Sequence, residues 1–208
     1  MKLPILSLES RLVQFLELLF ELIILNLLTL LFSVPIVTAG TAVTALYRSL
    51  FNIRKGKADI VKGYFKAFID NLRSGMVLGL IFLLISISFV LYLFEFQNLI
   101  ADGNILAFVG IAVIAVIFFF PMTFTFPLLA MFDNSALRTL TNAFLLSLRH
   151  VGTSIIVLLI SGSPWLVLMI WPTLFVMLIP LFLIFGVSLP AWISSSLLLQ
   201  VFKKYSEL

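Results

Sequence analysis

The chain contains no cysteine and a single histidine, His150, in 208 residues. These shortages exclude disulfides, thiolate metal centres, iron–sulfur clusters and thiol catalysis, and they leave no means of building a multi-histidine zinc site. Charge is scarce as well. Asp, Glu, Lys and Arg together make up 11% of the residues, against about 25% in an ordinary soluble domain. No charged side chain occurs in 22–47, 74–94, 103–132 or 151–202. Those gaps are filled by apolar residues, 62% of the chain, giving a mean hydropathy of +1.25. Such a composition excludes both a soluble globule and intrinsic disorder.

A helix crosses the roughly 30 Å hydrocarbon core with about 20 apolar residues. The first three uncharged runs hold one crossing each, and the last is long enough for two with a short turn. Spans are expected near 18–37, 74–94, 105–127, 151–177 and 181–202. Stretches such as IAVIAVIFFF lack the alternation of a membrane β-strand, so a β-barrel is not expected. The expected fold is all-α: a single integral membrane domain over 1–208, a bundle of about five transmembrane helices. No small-residue cleavage site follows a compact apolar stretch, so the N-terminus is expected to be retained.

Orientation follows from Lys and Arg, which favour short cytoplasmic loops. With five crossings, eleven of the 13 basic residues fall on one side. That side also holds Asp59, Asp70, Asp133 and Glu207, for a net +7. The other side holds Glu9, Glu17, Glu21, Glu95 and Asp102 against Lys2 and Arg11, for a net −3. The N-terminus is therefore expected outside and the C-terminus, with Lys203 and Lys204, in the cytoplasm. A competing topology remains open. Pro35 and Gly40 interrupt the first run, and GTAVTALYRSLF can continue as a second half-helix in a re-entrant hairpin, which would leave the N-terminus cytoplasmic.

Two polar segments on the basic side have helical periodicity. In 60–73, Val61, Tyr64, Phe65, Phe68 and Leu72 share one face while Lys62, Lys66 and Asp70 recur every fourth residue. In 135–149, Leu137, Leu140, Phe144 and Leu148 oppose Arg138, Thr141 and Asn142. Both read as amphipathic helices at the membrane interface. Lys62, Lys66, Arg73, Arg138 and Arg149 are candidates for docking a partner or contacting anionic lipid headgroups; the plainer reading is that these helices only anchor the spans. Both segments end in A-F-x-x-x-L-R, at Ala67–Arg73 and Ala143–Arg149, which suggests a parallel duplication.

Ionisable groups within apolar surroundings point to function, because a charge in a span costs a few kcal/mol or more (~2.5–3.5 on insertion scales). Glu17 and Glu21 lie one helical turn apart, with Asn26 beyond them, and form a candidate polar groove for a solute or cation; interfacial hydration is the plainer explanation. Pro121, Pro127, Gly162, Pro164, Gly186 and Pro190 predict kinks, found in transporters and in inert bundles alike. The enzyme inventory is poor. Ser161, Ser163 and Ser194–Ser196 show no nucleophile-elbow pattern, and RKGKAD lacks Walker spacing. No catalytic, metal or cofactor residue is identified. The positive balance is accounted for by loop bias and implies no nucleic-acid partner.

The stretches NLLTLLFSVPIVTAGTAVTALY, KGYFKAFIDNLRSG and FPLLAMFDNSALRTLTNAFLLSLRH resemble the YesL-like family of bacterial integral membrane proteins over nearly the whole chain. The most specific pieces are the Pro35–Gly40 turn and the Asn134–His150 stretch. The resemblance implies a membrane protein without a known biochemical activity, whose genes often lie beside carbohydrate-uptake ABC transporters and polysaccharide-degrading enzymes. It carries over no site residues. The expected function is thus a non-enzymatic accessory or regulator of carbohydrate uptake, with ABC transporter components as partners. The alternative is a small-solute transporter or channel in its own right, one that would need an oligomer to enclose a path.

Overall fold

The computed structural model describes residues 4–56, 59–101 and 103–206. Lys2, Lys57, Asp102 and Glu207, which entered the charge balance above, lie outside the described residues, as does the side chain of Glu9. Among the described residues the chain is all-α: α1 (Pro4–Ser33), a 3₁₀ turn (Ile36–Thr38), α2 (Ala39–Arg54), α3 (Ile60–Asp70), α4 (Leu72–Ala101), α5 (Ile105–Met131), α6 (Ala136–Arg149), α7 (Val151–Ile170), α8 (Pro172–Phe185) and α9 (Ser188–Ser206).

Three helical stretches, Arg11–Ser33, Leu72–Gln97 and Ile105–Met131, are long and apolar enough to cross a membrane. Two bent pairs raise the total to as many as five: α6 with the first part of α7, bent by 107°, and α8 with α9, bent by 62°. The expected interfacial helices form at 60–70 and 136–149, each followed at once by a long apolar helix.

The helix breaks depart from the expected span limits, and each departure has a local cause. The first helix stops at Ser33 instead of running to 37, because Pro35 has no amide hydrogen to continue the ladder. The Thr38 hydroxyl then donates to the Phe32 carbonyl at 2.6 Å, satisfying an acceptor that the helix end leaves open. The half-helix foreseen as the alternative does form, as α2. In the last apolar run the break falls at Trp171–Pro172, where proline opens α8 at its first position, and not at 178–180. Pro180 lies inside α8, and a further break at Gly186–Val187 divides the stretch expected at 181–202.

At the centre is α2. It packs against α1, α3, α4, α5 and α9, and its buried face runs through Ala42, Ala45, Leu46, Leu50 and Phe51. It meets α4 backbone to backbone. A Cβ on Gly40 would collide with the Gly75 carbonyl oxygen, and one on Gly75 would lie 2.7 Å from the Thr41 Cα. Only glycine permits so close a crossing, the small-residue packing common between membrane helices.

Burial in the long helices is lopsided. In α4 the buried positions, Gly75, Leu78 and Phe82, occupy the first third; in α5 they run from Phe120 to Ala130, apart from Ala107. The rest of both helices carries exposed large apolar side chains, among them Leu84, Phe94, Phe108 and Val113. An apolar surface this extensive belongs in lipid. The packed core lies at the other end, where α2, α3 and α6 gather with the charged side chains.

Candidate functional site

The site is the charged end of the bundle. α3 lies against α2 and the end of α1: Tyr64 and Ala67 are buried, and Phe32 of α1 meets Phe65 edge-on at 5.4 Å and Phe68 at 4.8 Å. The Tyr64 hydroxyl donates to the Ala42 carbonyl at 3.3 Å, and burial pushes its pKa up to about 12, so the phenol stays a neutral donor. With Tyr64 and Ala67 so engaged, α3 leaves Val61 and Ile69 exposed and turns Lys62 and Lys66 outward. Lys62 pairs with Asp59 at 3.6 Å, but both side chains are exposed and the pair adds little stability.

The second amphipathic helix packs on α5 through a stripe of small residues, Thr139, Ala143 and Ser147, all buried. Arg138 is left exposed. The two A-F-x-x-x-L-R strings take matching roles: Ala67 and Ala143 are buried at helix contacts, while Arg73 and Arg149 stand exposed at the entries to α4 and α7.

Two cavities open at this end. The smaller, about 200 Å³, is lined by charges of both signs, Arg48, Lys66, Asp70 and Asp133, together with Asn52 and Asn71. Arg48 donates from Nη1 to the Ala130 carbonyl at 2.8 Å, tying α2 to the last turn of α5. The larger, about 390 Å³, lies between α5, α6 and α9. Leu128, Leu145, Leu146 and Phe202 are its apolar lining, and Asn134, Asn142, Arg149 and Tyr205 bring polar atoms to it. His150 Nε2 lies 3.0 Å from the Tyr205 hydroxyl, and the Arg149 guanidinium lies over the Tyr205 ring at 5.5 Å. Burial, and then the charges of Lys204 and Arg149, hold the His150 pKa below its ordinary value.

The residues of the candidate polar groove have separate surroundings. Glu17 is exposed on α1 and Glu21 is half-buried. Asn26 is completely buried and occupied by the α8–α9 break. Its amide nitrogen donates to the Leu183 carbonyl at 2.7 Å, and its oxygen accepts from the Val187 and Ser188 amides at 2.8 and 3.0 Å. One side chain thus serves the last carbonyls of one helix and the first amides of the next. None of the cavities described here is lined by these three residues.

Sequence reasoning missed Arg48 and Arg54, whose roles depend on distant backbone. Arg54 stacks over Trp192 at 3.8 Å and donates to the Ser195 hydroxyl at 2.8 Å and the Trp192 carbonyl at 2.6 Å. A third cavity, about 400 Å³ and largely apolar, lies between α2, α5 and α7 beside Tyr47 and Ser161. No periodic signal in the sequence marks it.

The family described as "Protein of unknown function, DUF624" matches residues 22–93, from the buried stripe of α1 through α2 and α3 to late α4. YesL-like proteins carry this domain. No curated protein and no solved structure matches the chain.

Proposed function

We propose that this protein is a non-enzymatic membrane accessory, a scaffold or regulator associated with bacterial carbohydrate uptake, whose charged end faces the cytoplasm and docks a partner. The observation that carries the reading is the outward set of Lys62, Lys66, Arg73 and Arg138, exposed on and beside two helices that Tyr64 and Ala67 in α3 and Thr139, Ala143 and Ser147 in α6 hold against the bundle. Exposed basic side chains of this kind are suited to an acidic protein surface or to the anionic inner leaflet. The carbohydrate-uptake setting rests on the resemblance of the sequence to YesL-like proteins, and ABC transporter membrane subunits are the partners it suggests.

The transporter alternative needs a polar path through the bundle. Glu17 exposed and Glu21 half-buried on the surface of α1, with Asn26 already hydrogen-bonded through both ends of its amide, support the accessory reading over that one. The test is photo-crosslinking in native membranes from positions 66 and 138, with position 108 on the apolar flank of α5 as control. A discrete protein adduct from the first two positions, lost in the Lys66→Glu/Arg138→Glu double variant, is expected. Lipid adducts alone from all three positions, or solute flux by the purified protein in liposomes, would overturn the reading.

A further inference from the structure

The cavity between α5, α6 and α9 has the chemistry of an amphiphile site. Its apolar lining from Leu128, Leu145, Leu146 and Phe202 suits methylene groups. Its polar side chains are one cation and three that can donate a hydrogen bond: the Arg149 guanidinium, the Tyr205 hydroxyl, and the side-chain amides of Asn134 and Asn142. Neither amide has a hydrogen-bond partner among the described residues. Lys204 stands exposed one residue from Tyr205, close enough to act on His150. Among the described residues no acidic side chain lines the cavity. The site is therefore one-signed, unlike the mixed-charge cavity around Arg48.

From this arrangement we infer that the cavity binds an anionic phospholipid, with the phosphate diester between Arg149 and the two asparagine amides and the first methylenes of its acyl chains against Leu145 and Phe202. Three observations choose a lipid over a free anion. Most of the lining is apolar, which a hydrated phosphate ion would leave wet. The site sits where amphipathic α6 turns by 107° into the apolar helix α7, and a helix lying along the interface beside a spanning one is where headgroups gather. The cation is backed by the Tyr205 ring, so its charge is held in place at the mouth of an apolar recess. The inference rests on this cavity alone and is independent of the basic side chains on α3 and of Arg138.

The test is native mass spectrometry of the purified protein with phosphatidylglycerol, phosphatidylcholine and inorganic phosphate supplied in turn. Wild type is expected to retain one phosphatidylglycerol in preference to phosphatidylcholine. Arg149→Gln should reduce that retention about fivefold, the scale of one basic residue at a lipid surface. Arg138→Gln, which removes the same charge from the same helix away from the cavity, should change it little. Leu145→Trp, which fills the apolar recess and leaves every cation in place, should also displace the lipid. Equal retention of the two lipids, equal losses from Arg149→Gln and Arg138→Gln, retention by Leu145→Trp, or displacement by millimolar inorganic phosphate would each overturn the inference. A protein adduct in the crosslinking experiment would be unaffected by any of these results.

Discussion

At the scale of single residues, Asn26 and His150 carry the sharpest consequences. Asn26 closes a break in the helical ladder that lipid cannot hydrate, so Asn26→Leu would leave the Leu183 carbonyl and the Val187 and Ser188 amides without their partner. Stranding buried polar groups costs about 1–3 kcal/mol each in water-soluble proteins and less where a membrane bundle can relax. A fall in stability of about 2–4 kcal/mol is expected, read as an earlier melting transition in detergent. Asn26→Asp should not restore it, since a carboxylate cannot donate to Leu183. His150 is a base whose folded-state pKa is depressed, so the unfolded chain binds more protons near its ordinary pKa of 6.5. Stability is then fully present above that value and declines as the pH falls below it. Melting curves at about pH 7.5 and about pH 5.5 should show this decline, and His150→Gln should diminish it.

The helical elements were largely legible in the sequence, and the reason is periodicity: uncharged runs of helical length and stripes at every third or fourth residue are local signals. Val61 through Phe68 marked α3, but the helix ends at Asp70, and Leu72 and Arg73, read as its last turn, open α4. What periodicity cannot convey is which helix is interior. α2 has Arg48 and Arg54 in a 16-residue helix and reads as marginal by hydropathy, yet it is the hub, because Gly40 and Gly75 let it approach α4 closely. Gly186 marked the α8–α9 break as a kink, but what closes that break was hidden, since its partner Asn26 lies about 160 residues away. At this scale Gly40→Ala and Gly75→Ala should each destabilise the protein, by at least the 1–3 kcal/mol typical of overpacking. Gly152→Ala and Gly162→Ala meet nothing within 4 Å and should be neutral or slightly stabilising. Thermal melts of the four variants in one detergent separate close packing from generic helix propensity, because propensity alone would raise stability in all four.

For the whole molecule, the placement of helix ends bears on sidedness. Phe32 at the end of α1 touches α3, the Thr41 hydroxyl on α2 donates to the Leu72 carbonyl at the start of α4, and Arg48 reaches the last turn of α5. His150 before α7 meets Tyr205 near the end of α9. All of these ends lie together, so α2 and α3 join α1 to α4 without a crossing of their own. The start of α1 and the α4–α5 turn at Asn104 then belong at the opposite end. In a chain with no native cysteine, single substitutions test this with a membrane-impermeant maleimide. If the basic loops follow the usual bias and stay in the cytoplasm, as proposed, Lys55→Cys and Lys204→Cys should label only after the membrane is opened, and Arg11→Cys and Asn104→Cys in intact cells. If Arg11→Cys labelled together with Lys55→Cys, α1 and α2 would form a re-entrant pair, and the exposed basic side chains would need a new assignment of side. If all four reversed together, the bundle would stand as described and only the positive-inside argument would fail.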